Sequence, residues 1–307
     1  MQRIMDTEIR RRLSNTFKRI QRKEGFGHGR LKDLDELLRQ TQLQEKDARS
    51  ECRKHLIPLL SIAYAQLAVF STLSCALLIE DEKPLPADWL GPKIPHRGDI
   101  YLRCNLIQIT NHGLSILSLI ERGFANSARS LLRTLIELTW VTIIFCGNRD
   151  KAVQYVQGTD FDLAKEIWKN HFSPRLMMDS LFDIEKNLGL KKEFSKYSKK
   201  FRQGIYQFHT QSAHNTSSVI GILSFDSDLA KGEKSKLYPA LHGRVGMASK
   251  STLSDTIDVL AYGMYMIFLL FQNFHKYKSN DLQGYWSEGQ SFAIGCHELW
   301  MEKLKKE

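Results

Sequence analysis

Apolar residues recur at three- and four-residue spacing along most of the chain, and few segments show strand-like alternation, so the pattern predicts helices almost throughout. The longest uncharged run, Leu56 to Ile79, covers 24 positions and reads as one buried helix ending near Glu80-Asp81-Glu82. Four of the seven prolines then fall between Pro84 and Pro95, which marks a connection. Ile100 to Arg122, with Asp99 as its N-cap, and Ala125 to Cys146 follow as an antiparallel helix pair hinged at Gly123. Further helices are expected over Asp150 to His171, from Pro174 to about Leu188, from Ser254 or Asp255 to about Lys276, and from Ser287 to Lys303. Ser227 to Lys250 lacks helical periodicity and is expected to be an irregular loop with room for a short strand pair. The predicted fold class is an all-α helical bundle with long buried core helices and an irregular region around 225–250.

Before that bundle, residues 2–24 and 29–50 pattern as two charge-rich helices around Gly25-Phe26-Gly27-His28-Gly29. Met1 to Lys54 hold 15 basic and 9 acidic residues, so this segment supplies +6 of the chain's net +10. The expected organisation is therefore a basic helical arm over 1–54 and a bundle domain over 55–307. A solvated hairpin accounts for the arm's charge; an arm for nucleic acid or a partner protein is the functional alternative.

Ala125 to Cys146 carries three charges on an otherwise apolar helix. Arg129, Arg133 and Glu137 are four apart and stack along one face, while Leu131, Leu132, Leu135, Ile136, Leu138 and Val141 fill much of the rest. Charges on a buried helix are costly unless paired, and Arg133 with Glu137 is the obvious pair. A structural ion pair and a polar pocket in the core both fit.

Composition narrows the classes. Hydrophobic residues at 42% with 25% charged residues are ordinary for a globular protein, and net +10 favours acidic partners such as nucleic acid. The cysteines at 52, 75, 104, 146 and 296 are odd in number and widely spaced, which suits a reducing cytoplasm and neither a disulfide framework nor a zinc site. The N-terminal segment is charged, unlike a secretory signal. Leu56 to Ile79 is long enough to cross a bilayer, but its interior polar residues fit a core helix as well, and Val259 to Phe271 is too short, so a membrane partner is not expected.

Candidate chemistry concentrates between 191 and 224. Lys191 to Lys200 contains five lysines and one glutamate interleaved with Phe194 and Tyr197, a pattern read first as a solvated helix anchored by its aromatics and, as the functional alternative, as phosphate contacts with base stacking. Arg202, Tyr206, His209, Ser212, His214 and Asn215 follow within fourteen residues. On a helix Arg202, Tyr206, His209 and Ser212 share a face, whereas His214 leaves it unless the helix ends nearby. Glycine-rich phosphate loops, HExxH, paired CxxC and GxSxG are all missing, and no metal or cofactor is implied. Arginine with histidine is nonetheless the minimum set for metal-independent RNA cleavage. Histidine moves a proton between the 2′-hydroxyl and the leaving oxygen, and arginine stabilises the charged phosphorane-like state.

Two resemblances refine this. NSARSLLRTLIELTWVTIIF with NRDKAVQYVQ, followed by Tyr206…Ser212-x-His214, resembles a bacterial all-helical family of unknown function over roughly residues 100–275. That resemblance implies a shared polar cluster of Arg133, Glu137, Tyr206, Ser212 and His214 and supplies no reaction. Arg202-x6-His209 resembles, more loosely, the motif of HEPN helical-bundle ribonucleases and toxins, which implies a site assembled across a homodimer. The two resemblances point to different histidines.

The leading expectation is thus a cytoplasmic, metal-independent ribonuclease or RNA-binding effector of a defence or toxin system. In it His209 or His214 is the acid/base, Arg202, Arg133 and Arg129 meet phosphates with Lys196, Lys199 and Lys200, Glu137 orients Arg133, and Ser212 with Tyr206 supports them. The alternative is a non-catalytic scaffold or regulatory subunit whose buried Arg, Glu and His fix core register. Geometry separates them: a nuclease needs Arg202 and a histidine open to a basic cleft.

Overall fold

The computed structural model describes residues 31–79, 98–158, 160–213, 225–227, 229, 238–239 and 244–274, with scattered positions between 8 and 19 and between 288 and 302. Eight helices make up nearly all of the continuous segments: α1 Leu31–Ile79, α2 Gly98–Glu121, α3 Ala125–Gly147, α4 Arg149–Gln157, α5 Phe161–His171, α6 Pro174–Asn187, α7 Lys192–Ala213 and α8 Met247–Phe274. Two-residue strands, β1 Phe225–Asp226 and β2 Tyr238–Pro239, pair antiparallel between α7 and α8. The fold is an all-α helical bundle. The proline-rich connection, His214 and His242 lie outside the described residues.

The central helix is α3. It packs against α2, α8, α7, α6 and α4, and its residues Thr139 through Cys146 are buried without interruption. That enclosure explains why its apolar residues extend all round the helix at the C-terminal end and why its charges are confined to the first half. The α2–α3 turn is made by Gly123 at φ +79, with Phe124 N–H bonded to Leu119 C=O at 2.8 Å and Gly123 N–H to Ile120 C=O at 3.0 Å. This pair of bonds is the Schellman ending, which places a residue in left-handed backbone. Gly123→Ala is expected to cost about 1 kcal/mol in urea unfolding, with helix content unchanged. On the other side of α3, Gly263 of α8 faces Thr139, whose methyl would lie 2.6 Å from any Cβ placed there, so α3 and α8 approach closely at this point.

Several boundaries differ from the sequence pattern, each for a local reason. The two helices expected over 29–50 and 56–79 are one 49-residue helix that continues through Pro58. Pro58 and Lys54 are both exposed, so the carbonyl that loses its partner faces solvent and the helix need not end. Buried Ala48 and Cys52 carry the core of the bundle across position 54. Asp150 to His171 is two helices, because Asp160 accepts from Leu163 N–H at 2.8 Å and starts a new one after Gly158. Lys192–Ala213 is a single helix spanning the lysine-rich stretch and the Arg202 stripe. The last long helix begins at Met247, earlier than Ser254, because Asp226 reaches over to accept from Ala248 N–H at 3.0 Å.

Three helices contain segments long and apolar enough to cross a membrane by length and composition: Arg39–Cys75, Ala125–Gly147 and Met247–Leu270. The sequence pattern singles out only Leu56 to Ile79 within the first of these helices, taking the uncharged run Val259 to Phe271 as too short. Within the bundle most of each span is already covered by protein.

Candidate functional site

Helix α7 presents its polar stripe inward. Ser198, Arg202, Tyr206 and His209 follow one another at intervals of four, four and three, and all four are buried. The same helix directs Phe194 and Phe201 onto α8, with ring centroids 5.5 Å from Tyr265 and 6.4 Å from Tyr262. Apolar anchoring of α7 and burial of its polar stripe are therefore one event: the helix cannot pack without taking Arg202 inside.

The stripe meets three partners in sequence. At the inner end, Glu185 of α6 receives Arg202 Nη1 in a short contact, Ser198 Oγ at 2.8 Å and Tyr262 O–H at 2.9 Å, all on Oε1. Arg202 Nη1 also donates to the Tyr262 oxygen at 2.7 Å. Glu185 and Arg202 side chains are both fully buried. Glu185 Oε2 and Arg202 Nε and Nη2 have no hydrogen-bond partner among the described residues. Burial pushes the Tyr262 phenol well above its usual range, with the neighbouring Glu185 adding to the rise and Arg202 opposing it.

In the middle of the stripe, Tyr206 O–H donates to Glu137 Oε1 at 2.9 Å, and Arg133 bonds Glu137 at 3.3 Å and the Tyr206 oxygen at 3.4 Å. The expected Arg133–Glu137 pair is thus present and is joined by Tyr206, whose ring lies 5.3 Å from Trp140 and 5.7 Å from the Arg133 guanidinium carbon. Tyr206 is buried, and Arg133 and Glu137 are partly exposed. Burial raises the Tyr206 phenol, assisted by its bond to Glu137.

At the C-terminal end, His209 Nε2 lies 3.0 Å from Asp255 Oδ2 of α8, while His209 Nδ1 has no described partner. The imidazole is fully buried and the Asp255 side chain is 29% exposed. Beside them Arg129 bonds Thr252 Oγ1 at 3.1 Å and sits 5.4 Å from the Phe208 ring centroid. Burial lowers the Arg129 pKa, and the fields of Asp226 and Asp255 pull it back up. Arg129, Arg133 and Glu137 do share a face of α3, and α7 and α8 cover that face.

Residues 99–238 match the model of a family of unknown function, DUF5677. The matched segment runs from the second residue of α2 to the first of β2 and includes Arg129, Arg133, Glu137, Glu185, Arg202, Tyr206 and His209. The partners Thr252, Asp255 and Tyr262 on α8 lie outside it, as does α1. Neither a curated protein nor a solved structure matches the chain.

Of the residues singled out from sequence, Arg202, Tyr206 and His209 share a buried stripe, and Arg129, Arg133 and Glu137 oppose it from α3. Ser212 is helical, with its side chain outside the described residues. Lys196, Lys199 and Lys200 are exposed and do not join the cluster. Glu185, Tyr262, Asp255 and Thr252 are partners that sequence reasoning missed. Glu185 had a readable signal: it follows Met177, Leu181 and Ile184 on the apolar side of an amphipathic helix. Among the described residues no group of histidine, cysteine, aspartate and glutamate could hold a metal ion.

Proposed function

We propose that this chain is a non-catalytic helical scaffold or regulatory subunit whose buried polar stripe fixes the packing of α7 against α3, α6 and α8. The single observation that supports this is the complete burial of the Arg202 and His209 side chains, each engaged by a carboxylate. A general acid or base must come within about 3 Å of the proton it transfers. An arginine meeting phosphate must likewise reach it, and neither side chain reaches the surface. Burial with a partner specifies one helix register, because a slip leaves the charge unpaired. The test is incubation of the purified chain with RNA in EDTA. The expected result is intact RNA with wild type and with His209→Ala alike. Metal-free cleavage that His209→Ala abolishes, with the circular dichroism spectrum retained, overturns the reading.

One observation favours a second reading, a metal-independent ribonuclease of the HEPN type acting as a homodimer. Asp255 holds His209 through Nε2 and leaves Nδ1 without a partner, which is how an oriented acid/base is arranged. It requires the α7–α8 seam to part, and the same assay decides it.

A further inference from the structure

We propose that the outward face of α7, with Phe182 of α6 at its edge, binds a single-stranded polynucleotide. This inference rests on the non-catalytic reading and names the partner chemistry.

The inner stripe is unsuited to an anion: its two facing arginines, 129 and 133, already have Glu137, Asp226 and Asp255 beside them. The outer face is different. Lys191, Lys192, Lys196, Lys199 and Lys200 are all exposed, and none makes an ion pair with a described residue. Glu193 is the one acid between 191 and 203. Lys192, Lys196 and Lys200 recur at four, so their charges form a row about 12 Å long. A row of unpaired cations with so little local neutralisation binds a linear array of phosphates by releasing counterions.

The aromatics on this face select what carries the phosphates. Tyr197 is 71% exposed within the lysine row, and Phe182 is 41% exposed with Lys199 Nζ 5.8 Å from its ring centroid. Rings held in water beside cations suit stacking of unpaired bases. A duplex hides its base faces and would leave both rings unused. An anionic membrane fits less well, because the apolar residues of α7, Phe194, Phe201 and Ile205, are turned toward the core and are unavailable for insertion.

The test is fluorescence anisotropy of the full chain with a labelled oligouridylate, an oligothymidylate of equal length and an RNA duplex, alongside co-sedimentation with vesicles containing an anionic phospholipid. The expected result is preference for a single strand over duplex and vesicle, with the stronger of the two strands naming RNA or DNA. Lys196→Ala/Lys199→Ala/Lys200→Ala is expected to reduce the slope of log affinity against log salt by about 2. Tyr197→Ala is expected to weaken binding roughly tenfold with the salt slope kept. Wild type that ignores single strands, prefers duplex or vesicles, or binds equally as the triple variant overturns the proposal. A gel of the same mixtures separates the two readings. Cut oligonucleotide in EDTA removes the non-catalytic reading alone, and intact but unbound oligonucleotide removes the surface alone.

Discussion

Glu185→Ala is expected to lower the unfolding free energy by about 3–5 kcal/mol, measured by urea denaturation with circular dichroism. Glu185 Oε1 takes three donors, and without it the Arg202 charge remains in a site with no access to water. The cost of an uncompensated buried charge dominates, since the packing lost from one carboxylate-bearing side chain is smaller. The double variant Glu185→Leu/Arg202→Met is expected to recover most of the loss, because removing both charges removes the desolvation penalty of each. Loss of less than about 1 kcal/mol in Glu185→Ala would mean that water reaches Arg202, and with it the argument against a catalytic arginine would fall. A double variant that folds but still binds oligonucleotide would assign the Glu185–Arg202 pair to register alone.

The helical class was legible because apolar spacing acts locally: a residue at i and its neighbours at i+3 and i+4 share a face whatever the rest of the chain does. Arg133–Glu137 was legible for the same reason, being an i, i+4 pair on one helix. So was the shared face of Arg202, Tyr206 and His209. What that face looks at was not. Periodicity places residues on one side of a helix without saying which side meets the core, and in α7 both sides carry polar groups. The apolar positions settle it, since Phe194, Phe201 and Ile205 flank the stripe and draw it inward.

Boundaries set by distant residues were also invisible. Asp226 starts α8 from 22 positions upstream by accepting from Ala248 N–H, so the early start at Met247 has no capping signal beside it. Starting α8 there turns the side chains of 247–255 into helix faces, and this brings Thr252 and Asp255 to Arg129 and His209. The histidine's partner therefore depended on a cap that local sequence does not show. The segments expected over 29–50 and 56–79 join into α1 through Pro58, which lies on a solvent-facing side where the helix tolerates it.

Alkaline pH is expected to unfold the protein steeply, because its interior holds acids that folding keeps protonated. Burial pushes the Cys52 thiol up to about 12, with Glu121 adding to the rise, and raises the Cys146 thiol through burial alone. Burial likewise raises the phenols of Tyr155 and Tyr262. For a group whose pKa is raised by folding, the native state holds its proton after the unfolded chain has released it. Its stabilising contribution is therefore complete below the unfolded pKa and is lost as pH rises above it. The loss starts near pH 9.0 for the thiols and 10.0 for the phenols, the ordinary values of those groups. Each group removes about 1.4 kcal/mol per pH unit over its window. Ionisation of the two thiols therefore works against the folded state increasingly above about pH 9. Urea midpoints under reducing conditions between about pH 8 and pH 11 read this directly. Cys146→Ala is expected to cost about 1 kcal/mol at neutral pH and to flatten the alkaline slope by one group's share. An unchanged slope in that variant would show that the α3 terminus opens to solvent before the thiol ionises, and the enclosure of α3 at the centre of the bundle would have to be redrawn.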